Sequence, residues 1–321
     1  MAILLFRGEH PDANSLYYIG VDIDHAFFLS SPRTLFVPRL NYSLAKKLFR
    51  RGKVVAYSDI YAELKKVVKG KKLLIDMRSL PASYYKKISG FAKLTDGSSK
   101  FLEERMIKRK EEVEKVRIAV RFTKKIFAEV ETKLGSDKHG FKTENDVRKF
   151  LLIRTMELGL EPAFDPIVAS GSNSRFPHYQ SGNNAKLRDM VLIDYGVKYK
   201  NYRSDLTRCF FLKRGLESER KYSELKQIFR KIMVAFPKFK NGKELAKFAE
   251  KAYAKRKFPV PPHSWGHGIG LDVHEFPRLS LKFKDKLKGA TMALEPAVYF
   301  KDYGLRYEET IYFDGKKAKI L

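Results

Sequence analysis

The chain has 321 residues, which exceeds one average domain and favours two. Hydrophobic residues make up 44% and aromatic residues 13%, so the chain can bury a sizeable core and does not belong to the disordered class. The 65 Lys and Arg residues outnumber the 37 Asp and Glu residues, and the net charge is +28. No apolar run approaches the roughly 20 residues that a membrane-spanning helix needs.

Cysteine content and charge set expectations for location and partners. The single cysteine, Cys209, excludes a disulfide within the chain and a cysteine-rich zinc site. The apolar run at residues 1–6 is too short for a signal peptide, so we predict a reducing, cytoplasmic location. The positive charge leaves nucleic acid open as a partner. Because the basic residues are spread along the chain, we favour a solvated surface over a polyanion-binding face.

The first hundred residues alternate between short apolar segments and helical segments. Strands are predicted over residues 16–20, 26–29, 34–37, 54–56 and 73–75, and helices over 43–49 and 61–68. A turn-like run at residues 96–99 follows. We therefore expect a small α/β domain over residues 1–100.

From residue 101 the pattern changes to longer amphipathic helices. A charged helix is predicted over residues 101–134, and Thr143 with Asp146 resembles a capping box that opens a second helix ending near Gly159. The elements that follow are strands over 167–169, 190–194 and 205–212, helices over 223–236 and 243–255, and strands over 291–300 and 305–313. Two helices and a strand pair thus occur twice in residues 101–321, which predicts an α+β fold.

Two acids fall on the first strand pair of this domain, in positions where a carboxylate is hard to explain. Asp194 closes a hydrophobic strand, and Asp205 opens the next one eleven residues later. A hairpin centred on residues 199–200 makes the two residues cross-strand partners with both side chains on one face. Like charges that are opposed and desolvated repel each other.

The second strand pair repeats this arrangement. A turn near residues 301–302 sets Glu295 opposite Glu308, although a one-residue shift would turn the adjacent Glu309 inward instead. Arginine partners are one way to balance the acids of the two pairs. A divalent metal in an oxygen-rich cage is the other.

Three histidines lie among glycine or proline residues near these acids. His267 stands between two glycines, His274 follows seven residues later, and His178 follows Pro177. A single histidine is more often structural, but an imidazole beside several carboxylates suits a metal of borderline softness. The pattern assigns no role to the remaining histidines, His10, His25, His139 and His263.

Several segments taken in order resemble the pita-bread metallopeptidases, which include Xaa-Pro dipeptidases (prolidases), Xaa-Pro aminopeptidases and methionine aminopeptidases. The segments are FDPIVASG at 164–171, PH at 177–178, IDYG at 193–196, SDLTR at 204–208, GHGIGLDVHE at 266–275, LEP at 294–296 and GLRYE at 304–308. They cover residues 101–321, while residues 1–100 more loosely resemble the N-terminal domain of the proline-specific branch. The resemblance implies a small N-terminal α/β domain followed by a pita-bread catalytic domain with a duplicated ααββ unit.

The resemblance implies a dinuclear metal site and a hydrolytic mechanism. Asp194 would bind the first ion, Asp205 and Glu308 would bridge both, and His267 and Glu295 would complete the second site. Two divalent ions bridge a water and lower its pKa, so that hydroxide attacks the scissile carbonyl. Manganese, cobalt, zinc and iron all accept such ligands, so the sequence does not identify the metal.

Further residues take catalytic and substrate-binding roles in this resemblance. Glu295 would shuttle the proton, while His178 and His274 would stabilise the oxyanion or position the substrate. Arg306 would orient the carboxylates at the substrate site. Arg278 matches an arginine of archaeal-type prolidases and would bind the free carboxylate of a dipeptide. A solvent-facing loop arginine is the alternative for Arg278.

Taken together, these features favour a metal-dependent exopeptidase that cleaves Xaa-Pro dipeptides and forms a homodimer. An Xaa-Pro aminopeptidase that acts on longer peptides is the alternative within the same fold. A non-catalytic pita-bread protein is the alternative from another class, and the net charge of +28 would suit a polyanionic partner. Retention of the full set of metal-ligand residues argues against that alternative, because a cage of carboxylates is costly to keep empty.

Overall fold

The computed structural model describes residues 1–136, 140–180 and 184–321; His139 lies outside these ranges. The chain divides into two units, Met1–Arg105 and Met106–Leu321. No helix in the described ranges combines the length and the apolar character that crossing a membrane requires.

The first unit is built on one six-stranded mixed sheet. Its strands are β1 (Ala2–Arg7), β2 (Ala26–Ser30), β3 (Arg33–Pro38), β4 (Lys53–Tyr57), β5 (Lys72–Ile75) and β6 (Lys93–Asp96). Its helices are α1 (Ala13–Ile19), α2 (Tyr42–Leu48), α3 (Ile60–Val68), α4 (Ala82–Ser89) and α5 (Ser98–Met106). The strand order is β4-β3-β2-β1-β5-β6, and buried apolar side chains cover both faces of the sheet.

The predicted strand at residues 16–20 is wrong, because this segment is part of helix α1. The Asp12 side chain caps the helix by accepting a hydrogen bond from the Ser15 N–H at 2.7 Å. Gly20 ends it with a left-handed φ of 82°. The two cap residues therefore favour a helix in a segment whose apolar pattern predicts a strand.

The described part of the second unit contains four long helices. They are α6 (Lys110–Leu134), α7 (Glu144–Glu157), α8 (Glu217–Ala235) and α9 (Gly242–Ala254). The predicted helix over 101–134 is two helices, because α6 has its own start, where the Arg109 N–H donates to the Glu112 side chain at 2.7 Å. The predicted capping box of α7 is confirmed, since Thr143 accepts from the Asp146 N–H and Asp146 accepts from the Thr143 N–H.

The strands of the second unit form two main sheets and two small ones. They are β7 (Glu161–Pro162), β8 (Ile167–Ser170), β9 (Met190–Tyr195), β10 (Val197–Tyr199), β11 (Tyr202–Arg203), β12 (Leu206–Phe211), β13 (Gly266–Gly268), β14 (Glu275–Arg278), β15 (Thr291–Leu294), β16 (Ala297–Tyr299), β17 (Gly304–Arg306), β18 (Glu309–Phe313) and β19 (Ala318–Ile320). The orders are β12-β9-β8 and β14-β13-β15-β18-β19 in the main sheets, and β11-β10-β7 and β16-β17 in the small ones.

The predicted repeat of element types is present in the second unit. Helices α6 and α7 precede the β9–β12 pair, and helices α8 and α9 precede the strands from β15 to β18. Apolar side chains of α8 and α9, such as Leu225, Phe229 and Ala246, pack with Met292 and Ile311 of the second sheet in one core. The fold class is α+β, as predicted.

A buried ion pair joins the segment before α6 to the start of β14. Lys108 Nζ lies 2.8 Å from Glu275 Oε2, and the two side chains are 2% and 1% exposed. Glu275 Oε1 also accepts the Asp272 N–H at 3.0 Å, and the Lys108 N–H donates to the Gly289 carbonyl at 2.8 Å. A Cβ at Gly270 would lie 2.7 Å from both charged side chains, so glycine leaves room for the pair.

We expect Lys108→Met to lower the free energy of unfolding by about 3–5 kcal/mol, because the Glu275 carboxylate would stay buried without its cation. The double variant Lys108→Met/Glu275→Leu should recover part of that loss, since it removes both charges. Denaturant titration of the parent and both variants measures the differences. A single variant as stable as the parent, or a double variant less stable than the single one, would contradict this account.

Candidate metal centre

The first strand pair brings Asp194 and Asp205 to one face of the sheet. β9 and β12 are antiparallel, and Thr207 rather than Asp205 lies directly opposite Asp194. The predicted register is wrong by two residues, because the turn is centred on Lys200 and Asn201, which both have positive φ. Side chains two residues apart on a strand face the same way, so Asp205 is still a diagonal neighbour of Asp194.

The second strand pair has the predicted register. β15 and β18 pair Leu294 with Glu309, and β16 and β17 continue in the same register. Glu295 therefore lies opposite Glu308 in the gap between the two ladders. Of the two adjacent glutamates, Glu308 faces the acids of the first pair, whereas Glu309 forms an ion pair with Arg208.

His267 occupies the middle of β13, a short strand rather than the loop that its glycine neighbours suggest. β13 pairs with β15 on one side and with β14 on the other. A Cβ at Gly268 would lie 1.9 Å from the Phe276 carbonyl oxygen, so glycine is required for β14 to approach this closely. His267 Nε2 lies 3.7 Å from Asp205 Oδ2 and 3.9 Å from Glu295 Oε1.

The acids of the two strand pairs form one buried cluster with unfavourable electrostatics. Burial, with the neighbouring Glu308 and Asp194 carboxylates, raises the pKa of Asp205 well above its ordinary value. Burial and Glu308 likewise raise the pKa of Glu295, and burial with Asp194 raises the pKa of Glu308 to about 8. Among the described residues, one oxygen of Asp194 and one of Asp205 accept no hydrogen bond. The cluster therefore needs positive charge to be ionised at neutral pH.

The donor set fits divalent cations. Ligand atoms of Asp205, His267 and Glu308 all lie within 4.8 Å of one another. Burial lowers the pKa of His267 to about 4, so its imidazole is neutral near pH 7. His267 Nδ1 lies 3.0 Å from the Gly268 carbonyl, which leaves Nε2 as the lone-pair donor toward the acids. Carboxylate oxygens with one imidazole suit manganese, iron, cobalt and zinc.

Arg306 is a positively charged side chain that lines the same cavity. It is buried and forms an ion pair with Asp194, while its other nitrogens donate to Thr207 Oγ1 and the Tyr299 hydroxyl, both at 3.0 Å. Burial by itself lowers the pKa of Arg306. The nearby negative charges, Asp194 first among them, outweigh burial and raise this pKa above its ordinary value. The Thr207 hydroxyl donates in turn to Glu308 Oε2 at 2.6 Å. Arg306 thus orients the acids, but one charge cannot balance four ionised carboxylates.

The cluster opens into a cavity of about 410 Å³. His178 and His274 line the cavity, and Phe164, Ile167 and Val273 form its apolar side. Burial lowers the pKa of His274, which favours the neutral imidazole. The structure therefore brings both histidines to the same space as the acids, as the resemblance implies.

His263, to which the sequence pattern assigns no role, lines this cavity too. Its Nδ1 lies 3.6 Å from Glu295 Oε2, and its Nε2 lies 2.9 Å from the Tyr299 hydroxyl. Burial lowers the pKa of His263 to about 4, so the ring is neutral at pH 7. The signal in the sequence is only its position four residues before His267, beside two prolines.

Arg278 does not line this cavity. Its Nε and Nη2 donate to the two carboxylate oxygens of Asp285 at 2.8 and 3.0 Å. The guanidinium also lies 4.2 Å from the ring centroid of Phe276 and 3.4 Å from that of Phe283. The side chain is occupied in a local ion pair, and its role in binding a substrate carboxylate stays a prediction.

This geometry agrees with a family match that covers most of the second unit. The model of metallopeptidase family M24 matches residues 114–314. The chain belongs to this family.

Relatives of this M24 protein match between two thirds of the chain and nearly all of it. An Xaa-Pro dipeptidase of Pyrococcus furiosus is 31% identical over 99% of this chain and 90% of its own length. An uncharacterized peptidase of Methanocaldococcus jannaschii is 35% identical over 66% of this chain, and the match spans 62% of that relative. The crystal structure of an X-Pro aminopeptidase from Thermotoga maritima has a TM-score of 0.88 at 25% identity and covers 99% of this chain and 94% of that one.

The metal-free M24 protein should lose stability as the pH rises from 6.5 to about 8. The pKa of Glu308 is raised from 4.5 to about 8, so the folded state keeps a proton that the unfolded chain has released. Below pH 6.5 the lowered pKa values of His263 and His267 make stability rise with pH. This rise offsets the loss of stability caused by Glu308, so the loss is visible only above pH 6.5. Thermal unfolding in the presence of a chelator should show Tm falling across this window.

Glu308→Gln provides the control for this prediction. Without metal, the variant should show a smaller decrease in Tm between pH 6.5 and 8, because the carboxyl that releases the proton is absent. Added manganese or cobalt should raise the Tm of the parent at pH 8 and raise that of the variant less. Equal pH slopes for the parent and the variant would contradict the assignment.

Proposed function

We propose that this M24 protein is a metal-dependent exopeptidase that hydrolyses Xaa-Pro bonds, with dipeptides as preferred substrates. The observation that carries the proposal is the buried set of carboxylates and one imidazole at the wall of a cavity of about 410 Å³. A cavity of this volume accommodates a small peptide. The 31% identity with an Xaa-Pro dipeptidase over 99% of the chain supports the choice of bond.

In this proposal two divalent cations occupy the cluster. Asp194 would hold the first, Asp205 and Glu308 would contribute a carboxylate to each, and His267 and Glu295 would complete the ligand set of the second. When bound, the cations neutralise the carboxylates, polarise the scissile carbonyl and lower the pKa of a water molecule. The oxygens of Asp194 and Asp205 that accept no hydrogen bond from a described residue support these roles.

Two neighbouring side chains keep the ligands in the required orientation. Thr207 links Arg306 to Glu308, because its hydroxyl accepts from Arg306 Nε at 3.0 Å and donates to Glu308 Oε2 at 2.6 Å. Arg306 also pairs with Asp194, so one guanidinium fixes acids from both strand pairs. Partners of this kind hold ligand geometry in metal sites.

Hydrolysis of the peptide adds the hydroxyl of water to the acyl carbon, breaks the C–N bond and delivers a proton to the proline nitrogen. Glu295 is the group that takes and returns this proton, because its carboxyl lines the cavity beside the other acids. His263 lies 3.6 Å from Glu295 Oε2 and, with a pKa of about 4, adds no charge beside it.

The rest of the cavity accounts for substrate positioning. His178 and His274 can donate an N–H to the oxyanion that develops on the carbonyl oxygen. The apolar side of Phe164, Ile167 and Val273 suits the pyrrolidine ring of proline, which has no N–H to satisfy within a peptide.

The decisive experiment is an assay of metal-free protein resupplied separately with manganese, cobalt, zinc or ferrous iron. We expect Xaa-Pro dipeptides to be hydrolysed only after metal is added, with a higher kcat/KM than the matching tripeptides. Asp205→Asn should lower kcat/KM by more than about 100-fold, because it removes a carboxylate that would hold the cations. The exposed Asp302→Asn is the matched control and should retain the parent value.

Other results of this assay would support one of the two alternative functions. A higher kcat/KM on Xaa-Pro tripeptides would make the protein an Xaa-Pro aminopeptidase, like the Thermotoga maritima neighbour. Binding of metal, seen as a rise in Tm, without hydrolysis of either peptide would favour a non-catalytic binding protein and contradict the proposed function.

Arg278 provides a separate test of dipeptide selectivity. If it binds the substrate carboxylate, Arg278→Ala should lower kcat/KM for dipeptides about tenfold or more and leave tripeptides nearly unchanged, because only a dipeptide places its carboxylate beside proline. Asp285→Asn is the control, since it frees the guanidinium and should not reduce dipeptide activity. An equal loss on both substrates would assign Arg278 a structural role in its pair with Asp285.

The assembly state and location remain predictions. The family resemblance implies a homodimer, which light scattering would support by a mass near twice 37.2 kDa. The single cysteine, Cys209, is buried as a free thiol, which accords with a reducing compartment.

A further inference from the structure

A second concave surface lies between helices α6 and α8, outside the acidic cavity. Two adjoining cavities of about 560 and 410 Å³ form it, with strand β12 between the helices. The two cavities share Glu131, Cys209, Phe210, Tyr222 and Lys226, so they are one continuous groove. It has no lining residue in common with the acidic cavity. We call this surface the α6–α8 groove.

The α6–α8 groove is strongly basic. Among the described residues, its charged lining consists of two carboxylates, Glu131 and Glu219, and six cations, which are Lys124, Arg208, Arg214, Arg220, Lys226 and Arg230. This threefold excess is larger than that of the whole chain, which has 65 basic and 37 acidic residues. The acidic cavity has the opposite balance, so the two concave surfaces fit different partners.

Among the residues that the structure describes, half of these cations form no ion pair with a carboxylate. Arg214 pairs with Glu219, and both Arg208 and Lys124 pair with Glu309. Within the described ranges, no ion pair is formed by the remaining three, Arg220, Lys226 and Arg230. All three project from α8 along one side of the groove, where their charge is available to an anionic ligand.

Aromatic rings accompany the cations. Lys226 Nζ lies 5.0 Å from the ring centroid of Tyr222, and the guanidinium of Arg208 lies 4.8 Å from that of Tyr307. Phe210 is only partly buried where β12 contributes to the groove. A basic groove with aromatic rings along it is the combination that binds single-stranded nucleic acid, through phosphate contacts and base stacking.

The length of the groove also suits an extended ligand. Its lining runs from Leu216, the N-cap of α8, to Arg230 on that helix, which corresponds to roughly 21 Å at the rise of an α-helix. That distance exceeds a single phosphate and spans several nucleotides of one strand. Because the groove is recessed between two helices, one strand reaches its aromatic rings more easily than a duplex.

We propose that the α6–α8 groove binds single-stranded nucleic acid. Arg220, Lys226 and Arg230 of α8 contact the phosphates, and the partly buried rings of Phe210 and Tyr307 stack with the bases. The proposal does not depend on the peptidase assignment, because the two surfaces share no lining residue. It identifies a local site for part of the +28 charge, most of which we assign to solvated surface.

The test is fluorescence anisotropy of the full chain with a labelled single-stranded 12-mer of thymidine nucleotides, measured over a salt series. We expect binding that weakens as salt increases, and a loss of about tenfold or more in Lys226→Glu/Arg230→Glu. Loss of two phosphate contacts should also reduce the slope of log K against log salt by about 1.4. Peptidase activity should stay at the parent level, since neither residue lies at the acidic cavity.

The matched control is Lys247→Glu/Lys251→Glu on α9. These two exposed lysines have the same four-residue spacing and undergo the same change in net charge. We expect this variant to bind the 12-mer nearly as well as the parent. An equal loss in both double variants would assign the binding to diffuse charge and overturn the proposal.

Competition experiments identify the ligand class. An unlabelled single strand should displace the labelled 12-mer better than an abasic strand of equal charge, because stacking contributes. A duplex that competes as well as the single strand, or a poly-glutamate peptide that does so, would overturn the assignment to single-stranded nucleic acid. So would the absence of binding by the parent at low salt.

Discussion

Mutual repulsion among buried carboxylates is the constraint on which the rest of the second unit depends. Asp194, Asp205, Glu295 and Glu308 lie close enough that burial and their neighbours raise the pKa of three of them, Asp205, Glu295 and Glu308. Such a cluster would separate if its side chains were on mobile loops. Two antiparallel strand pairs prevent this, because their backbone hydrogen bonds hold the side chains together regardless of charge.

The elements around the cluster limit the cost of that repulsion. Arg306 and Thr207 connect acids from both strand pairs. The imidazole of His267 is kept neutral by burial, so it acts as a ligand rather than a competing cation. A bound divalent ion would reverse the repulsion, and the same packing that destabilises the metal-free state would then favour metal binding.

Fold alone does not decide between the two proline-specific activities. The Thermotoga maritima X-Pro aminopeptidase has this fold, with a TM-score of 0.88, while the Pyrococcus furiosus dipeptidase is 31% identical in sequence. The difference must come from groups that recognise a free carboxylate next to proline. Arg278 is placed near the site by the pairing of β13 with β14, but Asp285 occupies its guanidinium. Selectivity for dipeptides therefore depends on whether a substrate carboxylate can replace Asp285 as the partner of Arg278.

Charge is distributed very unevenly over this protein. The acidic cavity and the basic α6–α8 groove have opposite balances within one unit. Because salt screens exposed charges beyond about 10 Å, each surface acts on its own ligand rather than through the net charge of the chain. A peptide and a polyanion could therefore bind at the same time without competing.

The parts of this protein that the sequence alone determined are those set by local chemistry. The capping box at Thr143 and the strands that flank the acids follow from short-range patterns. The face shared by Asp194 and Asp205 was also predictable despite the wrong register, because strand side chains alternate with a period of two and the error was two residues.

Tertiary structure decided the rest. The turn at Lys200 and Asn201 set the register of the first strand pair, His263 reached Glu295 from a proline-flanked segment, and Arg278 paired with Asp285 rather than facing the cavity. Each of these outcomes depends on which side chains and strands meet in space. Local periodicity and caps cannot specify that choice, because it is made by packing and charge pairing between segments that meet only after the chain has folded.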